Sequence, residues 1–241
     1  MTKRVLLGML TPSSNTALEP ITTAMLNELP EVSAHFSRFR VTEIALSDRA
    51  LAQFDNSEIL RAAELLAHAK VDVIGWNGTS SGWLGFEADH RLCEQITATT
   101  GIPATTSMLA LNEILDEKKV QRLGYVTPYL DDVQARIIAN YEKLGFPCHS
   151  ERHLGLQDNF SFSEVPLSQL EQMARDVARD GADAITVICT NLRVATSVAR
   201  LEKEVGVPIY DTIATVVWKS LKMAGVDTRR ITQWGSLFQE F

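Results

Sequence analysis

Cysteine is scarce in this chain: three in 241 residues (Cys93, Cys148, Cys189), widely spaced and with no CxxC pair. That excludes a disulfide framework and a cysteine-based zinc site, and it makes a reducing cytoplasm the expected compartment. Long apolar runs are also missing, so no segment suits the roughly 20 residues of a membrane helix. Met1–Arg4 followed by Val5–Leu10 resembles a signal peptide briefly. Its apolar stretch is shorter than the ~7–15 residues of such a leader and no small-residue cleavage site follows, so it reads as a first strand. Basic charge is in deficit, 23 Lys and Arg against 30 Asp and Glu for a net charge of −7. A nucleic-acid binder would show the opposite balance. The five histidines do not cluster: His149 and His153 are four apart, but Pro147 and Gly155 argue against a helix presenting both. HExxH, GxGxxG and GxxxxGK[ST] are all absent, and no Ser-His-Asp set can be argued from the scattered histidines. Metal and nucleotide chemistry therefore have no sequence support, and neither a metal nor a cofactor is expected.

What is present is an ordinary globular composition, 45% hydrophobic and 22% charged, carrying an internal repeat. Val5–Pro12 resembles Arg122–Pro128, Ala69–Thr79 resembles Gly181–Thr190, and Gly101-Ile102-Pro103 resembles Gly206-Val207-Pro208. Two copies are too few for a solenoid and imply two similar lobes across a cleft. The runs Val71–Ile74, Gly124–Val126 and Ala184–Ile188 are apolar almost throughout, as strands buried on both faces are. Between strands lie stretches with helical apolar spacing: Ile59, Leu60, Ala63, Leu65 and Leu66, then Leu167, Leu170, Met173, Ala174, Val177 and Ala178. The alternation predicts an α/β fold with parallel sheets. The repeat divides the chain into a first lobe over 1–115, a second over 116–226 and a tail over 227–241 that is expected to pack back on the first lobe.

Ligands of such sheets bind beyond the carboxyl ends of strands. Four polar clusters fall there: Thr11–Asn15, Asn77–Ser81, Thr127–Asp132 and Cys189–Arg193. Cys189 ends an apolar strand ahead of Val194, Ala195, Val198 and Leu201. It reads either as a thiol at a helix N-terminus, with a lowered pKa, or as a buried structural cysteine. Cys93 and Cys148 read as inert filler of a helix and a strand. Gly78-Thr79-Ser80-Ser81-Gly82 is either an anion-binding nest or a helix cap. The same two readings apply to Thr11-Pro12-Ser13-Ser14-Asn15. Tyr129 is placed to donate its hydroxyl into the cleft, while Asp131 and Asp132 suit the first turn of a helix. Leu154–Glu164 is the loosest stretch, a lid or a plain surface loop.

The order Thr-Pro-Ser-Ser-Asn (11–15), Gly-Thr-Ser (78–80), Thr-Pro-Tyr-x-Asp-Asp (127–132) and Cys-Thr-Asn (189–191) resembles the aspartate/glutamate racemase superfamily, in its maleate isomerase and arylmalonate decarboxylase branch. The resemblance runs from Arg4 to about Phe238. It implies two Rossmann-like lobes related by pseudo-twofold symmetry, an active site between them and no cofactor. Racemases and maleate isomerases of this kind carry one cysteine per lobe. Here the position equivalent to Cys189 is Gly78, the decarboxylase-like pattern. The resemblance thus implies an enediolate formed from a small malonate-type acid and protonated by Cys189. Thr79, Ser80, Tyr129 and Thr190 would form the oxyanion nest. Asn15 and Ser14, with Pro12 and Asn191 beside them, would hold the second carboxylate. Trp76, Trp83 and Leu84 would line an apolar pocket, and Arg193 would attract the acid. Two alternatives stay open: an isomerase or epimerase acting on a dicarboxylate or amino acid, and a non-catalytic carboxylate binder. The expected partner is a small carboxylic acid, with no nucleic acid or membrane; a homo-oligomer is compatible with the resemblance.

Overall fold

Short runs of β-branched and aromatic residues bounded by Gly, Pro and polar turns form strands here because both of their faces find helices to pack on. A computed structural model of the chain describes residues 4–46 and 56–240. Its first half holds β1 (Val5–Pro12), α1 (Leu18–Leu26), β2 (Val32–Phe39), α2 (Asn56–His68), β3 (Val73–Trp76), α3 (Ser81–Leu84), α4 (Glu87–Thr100), β4 (Ala104–Thr106) and α5 (Ser107–Lys118). The second half repeats the scheme with β5 (Leu123–Thr127), α6 (Asp131–Lys143), β6 (Cys148–His153), α7 (Ser161–Glu164), α8 (Leu167–Arg179), β7 (Ala184–Val187), α9 (Val198–Val205), β8 (Ile209–Asp211) and α10 (Thr212–Met223). The two four-stranded sheets have the orders β2-β1-β3-β4 and β6-β5-β7-β8, and every pairing is parallel. The repeat seen in the sequence is therefore a repeat of topology.

The Gly-x-Pro pairs have a local cause. Gly101 and Gly206 close α4 and α9 in the left-handed region, at φ 72° and 75°. The proline two residues later cannot extend a helix and leads the chain into β4 or β8. Packing follows the same logic. Leu170, Met173, Ala174 and Val177 form the buried stripe of α8. Gly124 of β5 lets that helix approach closely, since a Cβ there would stand 2.2 Å from Val177 Cγ1.

The lobes interlock. α10, from the second half, packs on β3 and β4 of the first sheet, and on α5. Thr215 of α10 donates to the Ser107 carbonyl at 2.9 Å. The tail touches both halves: Arg230 pairs with Glu31, Thr232 N–H donates to Glu28, and Ser236 N–H donates to Glu202. The segments that follow β2 and β6 meet over the cleft, where Ile44 N–H donates to Gln157 O and Asn159 N–H to Thr42 O. Leu154–Glu164 is therefore tied down. Gly155 and Leu156 donate to the Tyr129 and Pro128 carbonyls, and Phe162 packs edge-on against the Tyr129 ring. Among the described residues no helix is long and apolar enough to cross a membrane.

Candidate active site

In each sheet the two central strands, β1 and β3 or β5 and β7, are parallel and carry their carboxyl ends to the same edge, so four loops converge between the lobes. They enclose a small cavity, with about 20 Å³ of free space, or room for a single water. Its walls are Pro12, Trp76–Ser80 and Trp83 from the first lobe, Tyr129, Asn159, Cys189 and Thr190 from the second, and Val41 and Ile44 from above. Of the residues singled out in the sequence, Pro12, Thr79, Ser80, Tyr129, Cys189 and Thr190 meet here.

Cys189 follows β7 and is 3% exposed. Its own N–H donates to Thr212 Oγ1 at 3.1 Å, and that hydroxyl donates to the Val187 carbonyl at 3.0 Å, which fixes the backbone. The Sγ accepts from Asn191 N–H at 3.3 Å and shares a hydrogen bond with the Tyr129 hydroxyl. Burial nonetheless dominates these helpful contacts and pushes the thiol up to about 12. Of the two readings of Cys189, the lowered pKa at a helix N-terminus does not hold: a turn and a short 3-10 segment (Val194–Ser197) separate Cys189 from α9. The thiol is neutral at physiological pH, which suits a proton donor. Tyr129 is likewise raised by burial, with Cys189 as a further cause. Its hydroxyl meets Thr79 Oγ1 at 2.8 Å. The N–H groups of Thr79, Ser80 and Thr190 have no acceptor among the described residues and are free for an anion.

The first-lobe equivalent of Cys189, two residues past the end of β3, is Gly78, which lines the same cavity. A Cβ built there would lie 2.2 Å from Trp76 Cζ2 and 2.7 Å from Trp76 Nε1. The indole fills the space that a first-lobe side chain would take. It is 1% exposed and packs against the Phe39 ring in a tilted contact, with centroids 4.6 Å apart.

Other expected contacts are redirected. Asn15 is spent between the lobes: its Nδ2 donates to Thr190 O at 2.9 Å, while its Oδ1 accepts from Ala17 and Leu18 N–H at the start of α1. Ser14 Oγ donates to Val41 O at 2.6 Å and accepts from Asn159 Nδ2. Asn191 accepts from Thr16 and Ala17 N–H and donates to Asn159 O. In this structure neither of the two asparagines, nor Ser14, lines the cavity, and their polar atoms bridge the loops of the two lobes. Arg193 is exposed and its Nη2 turns to the Val165 carbonyl. Leu84 is 41% exposed, away from the pocket, whereas Trp83 lines it. Asp131 and Asp132 do open α6, and Asp131 also pairs with His153.

The sequence reading passed over Asn159, Val41 and Ile44 in the roof, and Asp211 and Thr212 behind Cys189. The last pair had a usable signal. Each Gly-x-Pro is followed by a helix cap five residues after its glycine. Thr106 accepts from Leu109 N–H and Asp211 from Ile213 N–H.

Asp89 supports the first-lobe side. It is buried under α3 and accepts from Thr106 Oγ1 at 2.5 Å. Burial raises its carboxyl from 3.8 to about 7. A raised folded-state value means that the folded protein holds the proton more tightly. The resulting stability is full below about pH 4 and is lost as pH rises toward 7. Asp89→Asn keeps an acceptor for Thr106 and removes the titration. The melting temperature of the variant relative to the native protein should climb by about 3 °C or more between pH 5 and pH 8. Parallel melting curves over that range would show that the carboxyl is not held out of solvent as described.

The match that decides the family spans residues 7–238, nearly the whole chain, and is to the arylmalonate decarboxylase family model. The chain belongs to the arylmalonate decarboxylase family. Among curated relatives it is 28% identical over 235 residues to a maleate isomerase of Pseudomonas putida, covering 92% of each chain. It is 27% identical over 172 residues to the arylmalonate decarboxylase of Bordetella bronchiseptica, covering 70% of this chain and 71% of that one. In three dimensions it is similar to the Nocardia farcinica maleate cis-trans isomerase bound to Tris, with a TM-score of 0.89, 24% identity and 98% of both chains covered. The family's two-lobed α/β fold is thus shared in full, and its relatives are lyases and isomerases.

Proposed function

We propose that this family member is a cofactor-independent decarboxylase of a small malonate-type acid, with Cys189 as the proton donor. One observation carries the reading: the cleft is lopsided, with a single buried, protonated thiol facing a glycine whose side-chain space an indole fills. Racemisation needs an acid and a base on opposite faces of one carbon, and only one face offers a thiol here.

The retained carboxylate of the substrate rests on Thr79 Oγ1, the Tyr129 hydroxyl and the N–H groups of Thr79, Ser80 and Thr190. The leaving carboxylate lies against Val41, Ile44 and Trp83, where loss of hydration favours loss of its charge. The carbon–carbon bond breaks, CO₂ departs and the electron pair enters an enediolate. Donors fixed in advance stabilise that charge as it develops. The Cys189 S–H proton then passes to the carbon, and the thiolate recovers a proton from water.

Proton NMR in D₂O with malonate, methylmalonate, phenylmalonate and maleate tests this. The expected result is loss of CO₂ from a malonate, with one deuteron placed on the product carbon. Conversion of maleate to its trans isomer without mass loss would replace the reading by the isomerase alternative, which the relation to the Pseudomonas putida enzyme favours. Binding of these acids without turnover would leave a carboxylate binder.

A further inference from the structure

Trp76 carries an unused polar group. Its Nε1 is buried and has no acceptor among the described residues, while the ring borders the cavity. A buried N–H without a partner costs on the order of 1–3 kcal/mol, so a fold that keeps one at a ligand cavity points to a partner that arrives with the ligand. Its location is specific. Nε1 would lie 2.7 Å from a Cβ on Gly78, so it occupies the side-chain space of the first-lobe position equivalent to Cys189, in the cavity that Cys189 also lines. Two side-chain amides expected to bind the acid, on Asn15 and Asn191, are already spent on bonds between the lobes. The Thr79 and Tyr129 hydroxyls are partnered with each other. Trp76 thus offers an unengaged side-chain N–H at the cavity wall.

We infer that Trp76 is a substrate-binding residue that has taken over the place of the first-lobe thiol, its indole N–H donating to a carboxylate oxygen of the acid. The carboxylate is the one retained, because Nε1 adjoins the Gly78–Ser80 loop rather than the apolar roof of Val41 and Ile44. Charge grows on that group as CO₂ leaves, so the bond strengthens toward the transition state.

The inference rests on the cleft being the binding site, and its test separates the two claims. The indole proton resonances of the four tryptophans are followed by NMR in the native protein as malonate and methylmalonate are added, with each signal assigned from single Trp→Phe variants. Trp83 lines the same cavity and reports occupancy. The expected result is a downfield shift of the Trp76 N–H signal. Trp76→Phe, which keeps an aromatic ring and removes the donor, should lower kcat and weaken binding, with kcat/KM falling tenfold or more. If Trp83 responds and the Trp76 N–H does not, the inference fails while the site stands. If neither responds although the acid is turned over, the site itself is misplaced. Should Trp76→Phe not fold, the native-protein titration decides alone, with Trp76 assigned by elimination from the other three variants.

Discussion

Cys189→Ala should retain the fold and lose activity by roughly 10²–10⁴ in kcat, the range contributed by a positioned general acid. The Sγ bonds with Asn191 N–H and Tyr129, while the backbone is held separately through Thr212. Removing the sulfur therefore removes a proton without removing the scaffold. Cys189→Ser should be similarly poor, because a hydroxyl holds its proton too tightly to protonate an enediolate quickly. The pH profile of the native enzyme makes the same point with the opposite sign available. A donor must be protonated, and burial places this thiol at about 12, so its titration should not reduce the rate up to pH 9–10. An ordinary thiol, titrating near ~8.5, would cost activity over that interval. A thiolate nucleophile, as an isomerase reading requires, would instead give a rate rising about tenfold per pH unit. Full activity in Cys189→Ala, or that rising profile, would remove the proposed donor.

The limits of the sequence reading have physical causes. The α/β alternation and the lobe symmetry were legible because the repeated elements repeat the same local physics: buried β-branched runs, left-handed glycines before a proline, and helices with one apolar stripe. Gly78 as the partner position of Cys189 followed from the same register. The hydrogen bonds of Asn15, Ser14 and Asn191 were not legible. An asparagine at the end of a strand serves a ligand or a neighbouring loop equally well, and only the other lobe's position decides. Here Thr190 and Asn159 lie within reach, and the amides are consumed. The choice between the two readings of the Cys189 thiol was open for a related reason. A helix start was legible near Val194, but not the turn that separates it from Cys189, nor the burial that outweighs three hydrogen bonds. Trp76 was legible as an apolar wall. That its ring occupies the space beside Gly78 depends on a rotamer, which Phe39 helps to fix by packing against it.

That rotamer changes what Gly78→Cys should do. From the repeat alone, the substitution supplies the missing second thiol and is expected to create a racemase. With Trp76 in place, the new Cβ meets indole carbons at 2.2 and 2.3 Å, closer than any stable contact. Either the ring leaves its contact with Phe39 or the Gly78–Ser80 loop moves, and both disturb the nest. Overpacking a well-filled site commonly costs about 1–3 kcal/mol, and this overlap belongs at the upper end or beyond. Gly78→Cys alone should therefore lower stability by about 3 kcal/mol and reduce turnover without gaining racemisation. Trp76→Ala alone should cost a similar amount for the opposite reason, an emptied cavity. Combined, the two should cost less than their sum, with a coupling of about 1–3 kcal/mol, because each relieves the defect of the other. The double variant should present a thiol on each face of the bound acid, and a chiral product incubated with it in D₂O should racemise with deuterium exchange. Denaturant unfolding of the four proteins gives the coupling, and chiral chromatography gives the second readout. Strictly additive costs, or a Gly78→Cys protein as stable as the native one, would show that the indole does not stand where the sister thiol would.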